Sequence, residues 1–82
     1  MQLIPVESSN IKAIGYETDG FDNNGHAFTN RLVIQFSHGK FYGFLDVPND
    51  VYIEFLRSES KGKYFNANIR NKYRELLIGD KL

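Results

Sequence analysis

A strict alternation, a tight turn and one helical apolar face together point to an α+β domain. The expected architecture is a three-stranded antiparallel sheet, an N-terminal strand plus a hairpin, followed by two helices packed on one face. In residues 31–37, Leu32, Ile34 and Phe36 alternate with Arg31, Val33 and Gln35, the period of a half-buried strand. His38-Gly39 then supplies a turn, because glycine tolerates positive φ. After Pro48, Val51, Tyr52, Phe55 and Leu56 fall on one face of a helix. Eighty-two residues make a single domain, 1–82, near the small end of what folds alone. With 41% hydrophobic and 24% charged residues, the chain can bury a modest core.

The first strand spans Asn10 to Tyr16, with Ile11, Ala13, Ile14 and Tyr16 as its apolar positions. Thr18 to Asn30 is rich in Asp, Asn and Gly and reads as a long exposed loop. Residues 31–47 form the hairpin, whose return strand runs from Phe41 to Val47. Pro48 suits the first turn of a helix, since its fixed φ is pre-organised and its missing N–H is not needed there. Asp50 and Glu54 near the start and Arg57 at the end complement the dipole of that helix. Ser58 to Gly62 interrupts it, and Ser60 is placed to cap the next. In the second helix Phe65, Ile69, Tyr73 and Leu76 share one face, with Lys63, Arg70 and Arg74 opposite. Residues 72–78 are compatible with a continued helix, ended by Gly79, or with a strand.

Composition excludes several function classes. No cysteine is present, which removes disulfides, thiolate metal sites and cysteine nucleophiles together. The opening Met1-Gln2-Leu3-Ile4-Pro5 lacks the regions of a signal peptide, and no apolar run approaches ~20 residues. A cytoplasmic location without membrane contact is therefore expected. Only His26 and His38 could act as histidine bases, and both fall in expected turns. Asp22, Asn23, Asn24 and Gly25 suggest a calcium loop, but the register places Gly20 and Arg31 where carboxylates are required. The glycines form no phosphate-binding GxxxxGK[ST] loop. No catalytic residue, metal or cofactor is expected, and the chain is read as a binding module rather than an enzyme.

Charge and aromatic residues supply the candidate contacts. Net charge is zero, yet residues 57–74 carry Arg57, Lys61, Lys63, Arg70, Lys72 and Arg74 against Glu59 alone. Local patches of this kind meet acidic partners. Lys61 and Lys63 flank Gly62 at a helix start, where free N–H groups also favour anions. Arg70, Lys72 and Arg74 continue a phosphate track, with Tyr64 and Asn66 between the charges. Core packing for Tyr64 and a local backbone bond for Asn66 compete with base contact. Tyr42 and Phe44 depend on the hairpin register. A two-residue turn puts both on an exposed face beside Arg31 and Gln35, able to stack bases. A three-residue turn puts them in the core opposite Ile34 and Leu32.

The order of these residues resembles the KTSC domain. Pro5-Val6-Glu7-Ser8-Ser9-Asn10-Ile11-Lys12-Ala13-Ile14-Gly15-Tyr16 resembles its opening. Gly39-Lys40-Phe41-Tyr42-Gly43-Phe44 and Val47-Pro48 resemble its central block. Val51-Tyr52, Ser60-Lys61-Gly62-Lys63-Tyr64-Phe65-Asn66 and Ile69-Arg70 follow in the same order, so the likeness covers roughly residues 5–73. That family takes its name from an occurrence at the C-terminus of some lysyl-tRNA synthetases. It also occurs as short stand-alone bacterial proteins, and RNA binding is the role proposed for it. Two departures stand out. The family's central Tyr-x-Tyr is Tyr42-Gly43-Phe44 here, with one hydroxyl fewer, and the loop between the first two strands is longer. The leading expectation is an RNA-binding module. The alternative is a protein-interaction module, in one form a homodimer, that uses the exposed hairpin face or a sheet edge.

Overall fold

The computed structural model describes residues 2–22 and 24–82. Met1, in the N-terminal segment, and Asn23, in the polar loop, lie outside the described residues. The central feature is the hairpin of β3 (Ala27–Phe36) and β4 (Phe41–Leu45). Its turn closes with Gly39 N–H on the Phe36 carbonyl at 2.8 Å and Phe36 N–H on the Lys40 carbonyl at 3.1 Å. Gly39 has φ +99°, so Ser37, His38 and Gly39 make a three-residue turn with glycine in the left-handed position. The register that results sets Ile34 opposite Tyr42 and Leu32 opposite Phe44. Phe44 is therefore 0% exposed, which corrects the expectation that its ring could stack a base.

The sheet has five strands, not three. β2 (Ile11–Phe21) pairs with β3, β1 (Leu3–Pro5) adds outside β2, and β5 (Arg74–Gly79) adds outside β4. All pairings are antiparallel, in the order β1-β2-β3-β4-β5. The segment 18–30, expected as a loop, continues β2 and β3 instead. Most of its side chains are hydrophilic and fit a two-stranded ribbon that projects past the sheet, with Phe28 buried among them. At the tip of the ribbon Asp22 Oδ1 accepts Asn24 N–H and His26 N–H at 2.9 Å each.

A bulge at Lys12 brings Ile11 and Ile14, three residues apart, onto the same side of β2. There they join Leu32, Ile34 and Phe44 to form the sheet's half of the core. The helices α1 (Asn49–Arg57) and α2 (Lys61–Asn68) lie between β4 and β5 in the chain and supply the other half, through Phe55 and Phe65. Val47 and Ile69, just outside the helices, complete it. Val51, Tyr52 and Leu56 pack against this core as their spacing requires. Tyr52 stacks on Tyr16 at 4.6 Å, and the Tyr16 hydroxyl donates to the Val47 carbonyl at 2.6 Å. Of the two conformations open to residues 72–78, the strand is the one formed, since α2 ends at Asn68 and β5 begins at Arg74. Ile69 caps the helix with φ stretched to −119° and its N–H still on the Phe65 carbonyl, and Asn71 takes φ +62°, a conformation that asparagine tolerates.

Among the described residues no helix covers the opposite face, yet Val33 is fully buried there. Gly43, in register with Val33, lets the Arg31 stem cross the sheet; a β-carbon on Gly43 would lie 3.0 Å from Arg31 Cδ. The Arg31 guanidinium pairs with Glu17 and sits 4.8 Å from the centroid of the Phe28 ring. Phe28 in turn lies over Gly20, its cross-strand partner, where any side chain would collide with the ring. Gly20→Ala is expected to displace Phe28 and cost about 1–3 kcal/mol. The check is a lowered midpoint of urea unfolding with an unchanged slope.

Candidate nucleic-acid interface

The segment joining β1 to β2 is shaped by Ser8. Its Oγ accepts Asn10 N–H at 3.3 Å and Ile11 N–H at 3.4 Å. The Asn10 carbonyl accepts Ser37 N–H at 2.9 Å, which ties this loop to the β3–β4 turn. Across from it α2 begins. Ser60 is extended, and its Oγ accepts Lys63 N–H at 3.3 Å, as its capping position predicts. Gly62 faces the loop closely, since a β-carbon there would lie 3.3 Å from Asn10 Nδ2. Ser8–Asn10 and Ser60–Lys63 with Asn66 thus enclose a polar cleft of about 320 Å³, which Glu7 and Glu59 also line. Lys61 Nζ donates to the Ser58 carbonyl, so this ammonium is held at the helix start. Lys63 projects to solvent and has no ion-pair partner among the described residues.

A second depression lies beside the first. Phe36 meets Tyr42 edge-on at 5.4 Å and Phe65 edge-on at 5.5 Å, and His38 lies near-parallel to Phe36 at 5.8 Å. With Arg70 and Glu75 these four rings line about 200 Å³. Two links join it to the cleft. One is the Asn10–Ser37 hydrogen bond already described. The other is Arg70 Nη1, which donates to Asn66 Oδ1 at 3.5 Å.

The structure divides the nine residues expected to contact nucleic acid. Lys61, Lys63 and Asn66 line the cleft, and Tyr42 and Arg70 line the aromatic depression. Phe44 is core. Tyr64 stacks on Phe55 at 5.6 Å and donates to Glu54 Oε2 at 3.2 Å, so its ring is used in joining α2 to α1. Asn66 makes a side-chain bond to Arg70 rather than the local backbone bond that competed in the sequence. Lys72 falls in the turn after α2, where its N–H meets the Ile69 carbonyl at 3.1 Å. Arg74 belongs to β5 and is exposed. The expected track of helix-borne cations through Arg70, Lys72 and Arg74 therefore does not form, because the helix stops at Asn68. Residues that sequence reasoning missed are Ser8–Asn10 as a wall of the cleft, and Phe36, His38, Phe65 and Glu75 around the depression. Ser8–Asn10 and Ser60–Asn66 both lie in segments that carry the family resemblance, but their approach in space has no signal in the linear sequence.

The fold and cleft define a class: a small α+β domain whose antiparallel meander receives two helices before its last strand. The model of the KTSC domain matches residues 7–73, and the chain belongs to that family. The crystal structure of a KTSC domain protein from Yersinia pestis superposes with a TM-score of 0.74 at 33% identity, covering 95% of this chain and 97% of that one. A relative from Tsukamurella paurometabola is 30% identical over 74 residues, covering 90% of this chain and 97% of its own.

The Tyr64 phenol is pushed above the ordinary value of 10.0, first by desolvation and then by its hydrogen bond to Glu54. A phenol that holds its proton more tightly when folded stabilises the fold below its unfolded pKa, and that contribution disappears as pH rises through the folded one. Stability is thus expected to fall as the solution passes pH 10 and beyond, and Tyr64→Phe should make the decline shallower. Urea midpoints measured across the alkaline range test this.

Proposed function

We propose that this chain is a small RNA-binding module that takes a single-stranded backbone at the Ser8–Asn10 and Ser60–Asn66 cleft. The observation that carries the reading is the convergence of that polar loop with a lysine-bearing helix start. Free N–H groups at a helix start, the helix dipole and nearby ammonium groups all favour a phosphate. Gly62 places no side chain over that backbone, and Asn10 Nδ2 stands close beside it. Glu7 and Glu59 line the same cleft and limit its positive charge, so the reading is of one or two phosphates held locally. This suits a chain of zero net charge. Binding rather than catalysis, and a cytoplasmic place of work, belong to the same proposal. No helix is long and apolar enough to cross a membrane among the described residues.

The test is fluorescence anisotropy of a labelled single-stranded RNA pool at two salt concentrations. Each phosphate contact contributes a slope of about −0.7 in log affinity against log salt for single strands. Lys63→Glu is expected to weaken binding about ten-fold, roughly 1.4 kcal/mol, and to reduce the slope by about one contact. Unchanged affinity and slope would reject the cleft as the phosphate site.

A second reading, self-association, is favoured by the free edge of β5. Leu76, Leu77 and Ile78 run consecutively along it, and Leu77 is 56% exposed. Two copies paired antiparallel about Leu77 would set Arg74 of each against Asp80 of the other, where Asp80 would exchange its ion pair with Lys40 at 3.7 Å for one across the edge. Light scattering at increasing concentration should then show a dimer that Leu77→Lys disperses; a monomer throughout excludes this reading.

A further inference from the structure

We propose that the aromatic depression bounded by Phe36, His38, Tyr42 and Phe65 is a pocket for one guanine base, read by Glu75. The inference rests on the RNA reading above and specifies the base that this reading leaves open. At about 200 Å³ the depression falls below the ~300–1,000 Å³ of pockets for drug-sized ligands and is of a size for one planar base. Its walls are π-faces and ring edges, the surfaces on which unstacked RNA bases settle.

The polar groups of the lining discriminate among guests. Glu75 is opposite Phe44 in the β4–β5 register, so it projects on the helix-covered side of the sheet, beside the rings. It has no ion-pair partner among the described residues. A carboxylate accepts two hydrogen bonds side by side. Of the four bases only guanine presents two adjacent donors, N1–H and the N2 amino group, on its pairing edge. Adenine and cytosine offer a ring-nitrogen lone pair next to a single amino group, and uracil flanks its one N–H with two carbonyls, so each sets an acceptor against the carboxylate. A methylated ammonium, the other guest of aromatic cages, is opposed here by Arg70 in the same lining. Arg70 is instead placed for the sugar–phosphate. It contacts Asn66, which lines the phosphate cleft, so one nucleotide could lie across α2 with its phosphate at Lys63 and its base at Glu75.

The experiment uses four short single-stranded RNAs, identical except for G, A, C or U at one central position, and a fifth with inosine there. Each is titrated against the native chain, Glu75→Gln and Lys63→Glu, with circular dichroism confirming that the variants are folded. The native chain is expected to bind the guanine oligonucleotide about ten-fold more tightly than the other three standard bases, within the range for a bidentate base contact. Inosine, which lacks the N2 amino group, should lose part of that preference. Glu75→Gln should bring all five within about two-fold of one another without abolishing binding. Lys63→Glu should weaken all five while keeping their order. Equal affinity of the native chain for all five, with Lys63→Glu still weakening each, overturns the guanine pocket and leaves the RNA reading standing. Binding to none of them overturns both.

Discussion

The register of the β3–β4 hairpin is the constraint from which the remaining architecture follows. Side chains alternate across a strand with period two, so a slip of one residue would exchange every inward position for an outward one. The turn Ser37–Gly39 prevents that slip by holding Gly39 at φ +99°, where a side chain would be strained. In the register it enforces, Leu32, Ile34 and Phe44 form a floor on which Phe55 and Phe65 pack. The same choice turns Gly43 to the other face, where Arg31 closes the sheet without a helix. Tyr42, one register step from Phe44 on the floor side, is carried to the rim of the core, where its ring stays partly open to ligand.

The two candidate sites share α2 as a common wall. Its first turn faces the β1–β2 loop, and Phe65 and the residues just past its end face the aromatic rings and β5. The chain achieves this by inserting both helices between adjacent strands of the sheet, so that α2 runs between segments distant in sequence. Hydrogen bonds from Ser37 to Asn10 and from Arg70 to Asn66 hold the borders of the two depressions together. An extended ligand lying on this surface would meet charge at one end and π-faces at the other, which suits a nucleotide better than a purely acidic or purely apolar guest.

Much of this fold was legible because the relevant signals are local. The alternation in residues 31–37, the periodic face of Val51, Tyr52, Phe55 and Leu56, and the Ser60 cap each act within a few residues, and the strand, the helix and the cap form there, although Val33 on the outer face is buried as well. The two edge strands were not legible, for physical reasons. β1 is three residues long and ends in proline, too short to show a period. β5 contains Leu76, whose spacing from Ile69 and Tyr73 mimics a helix face, and the competing signal is a single left-handed asparagine at position 71. The projecting ribbon of β2 and β3 has the composition of a loop, because nearly all of its side chains except Phe28 meet water. Of the candidate contacts, Lys61, Lys63 and Asn66 carry chain-local signals and line the cleft. Glu75 and the Ser8–Asn10 wall were missed, since nothing in the linear order announces which distant segments will meet.

The topology also has a kinetic consequence. Four of the five strands follow one another as a meander, whereas β5 reaches its partner only after both helices have been laid down. Pairing across such an interval is delayed by loop closure. An edge strand whose outer side has no neighbour is also drawn toward the low end of local stability. Brief detachment of Arg74–Gly79 would then leave the helix-and-sheet core in place while removing the carboxylate wall beside the rings. Ligand exchange at that wall could accordingly proceed by fraying of the chain's last strand, on a timescale separate from global unfolding.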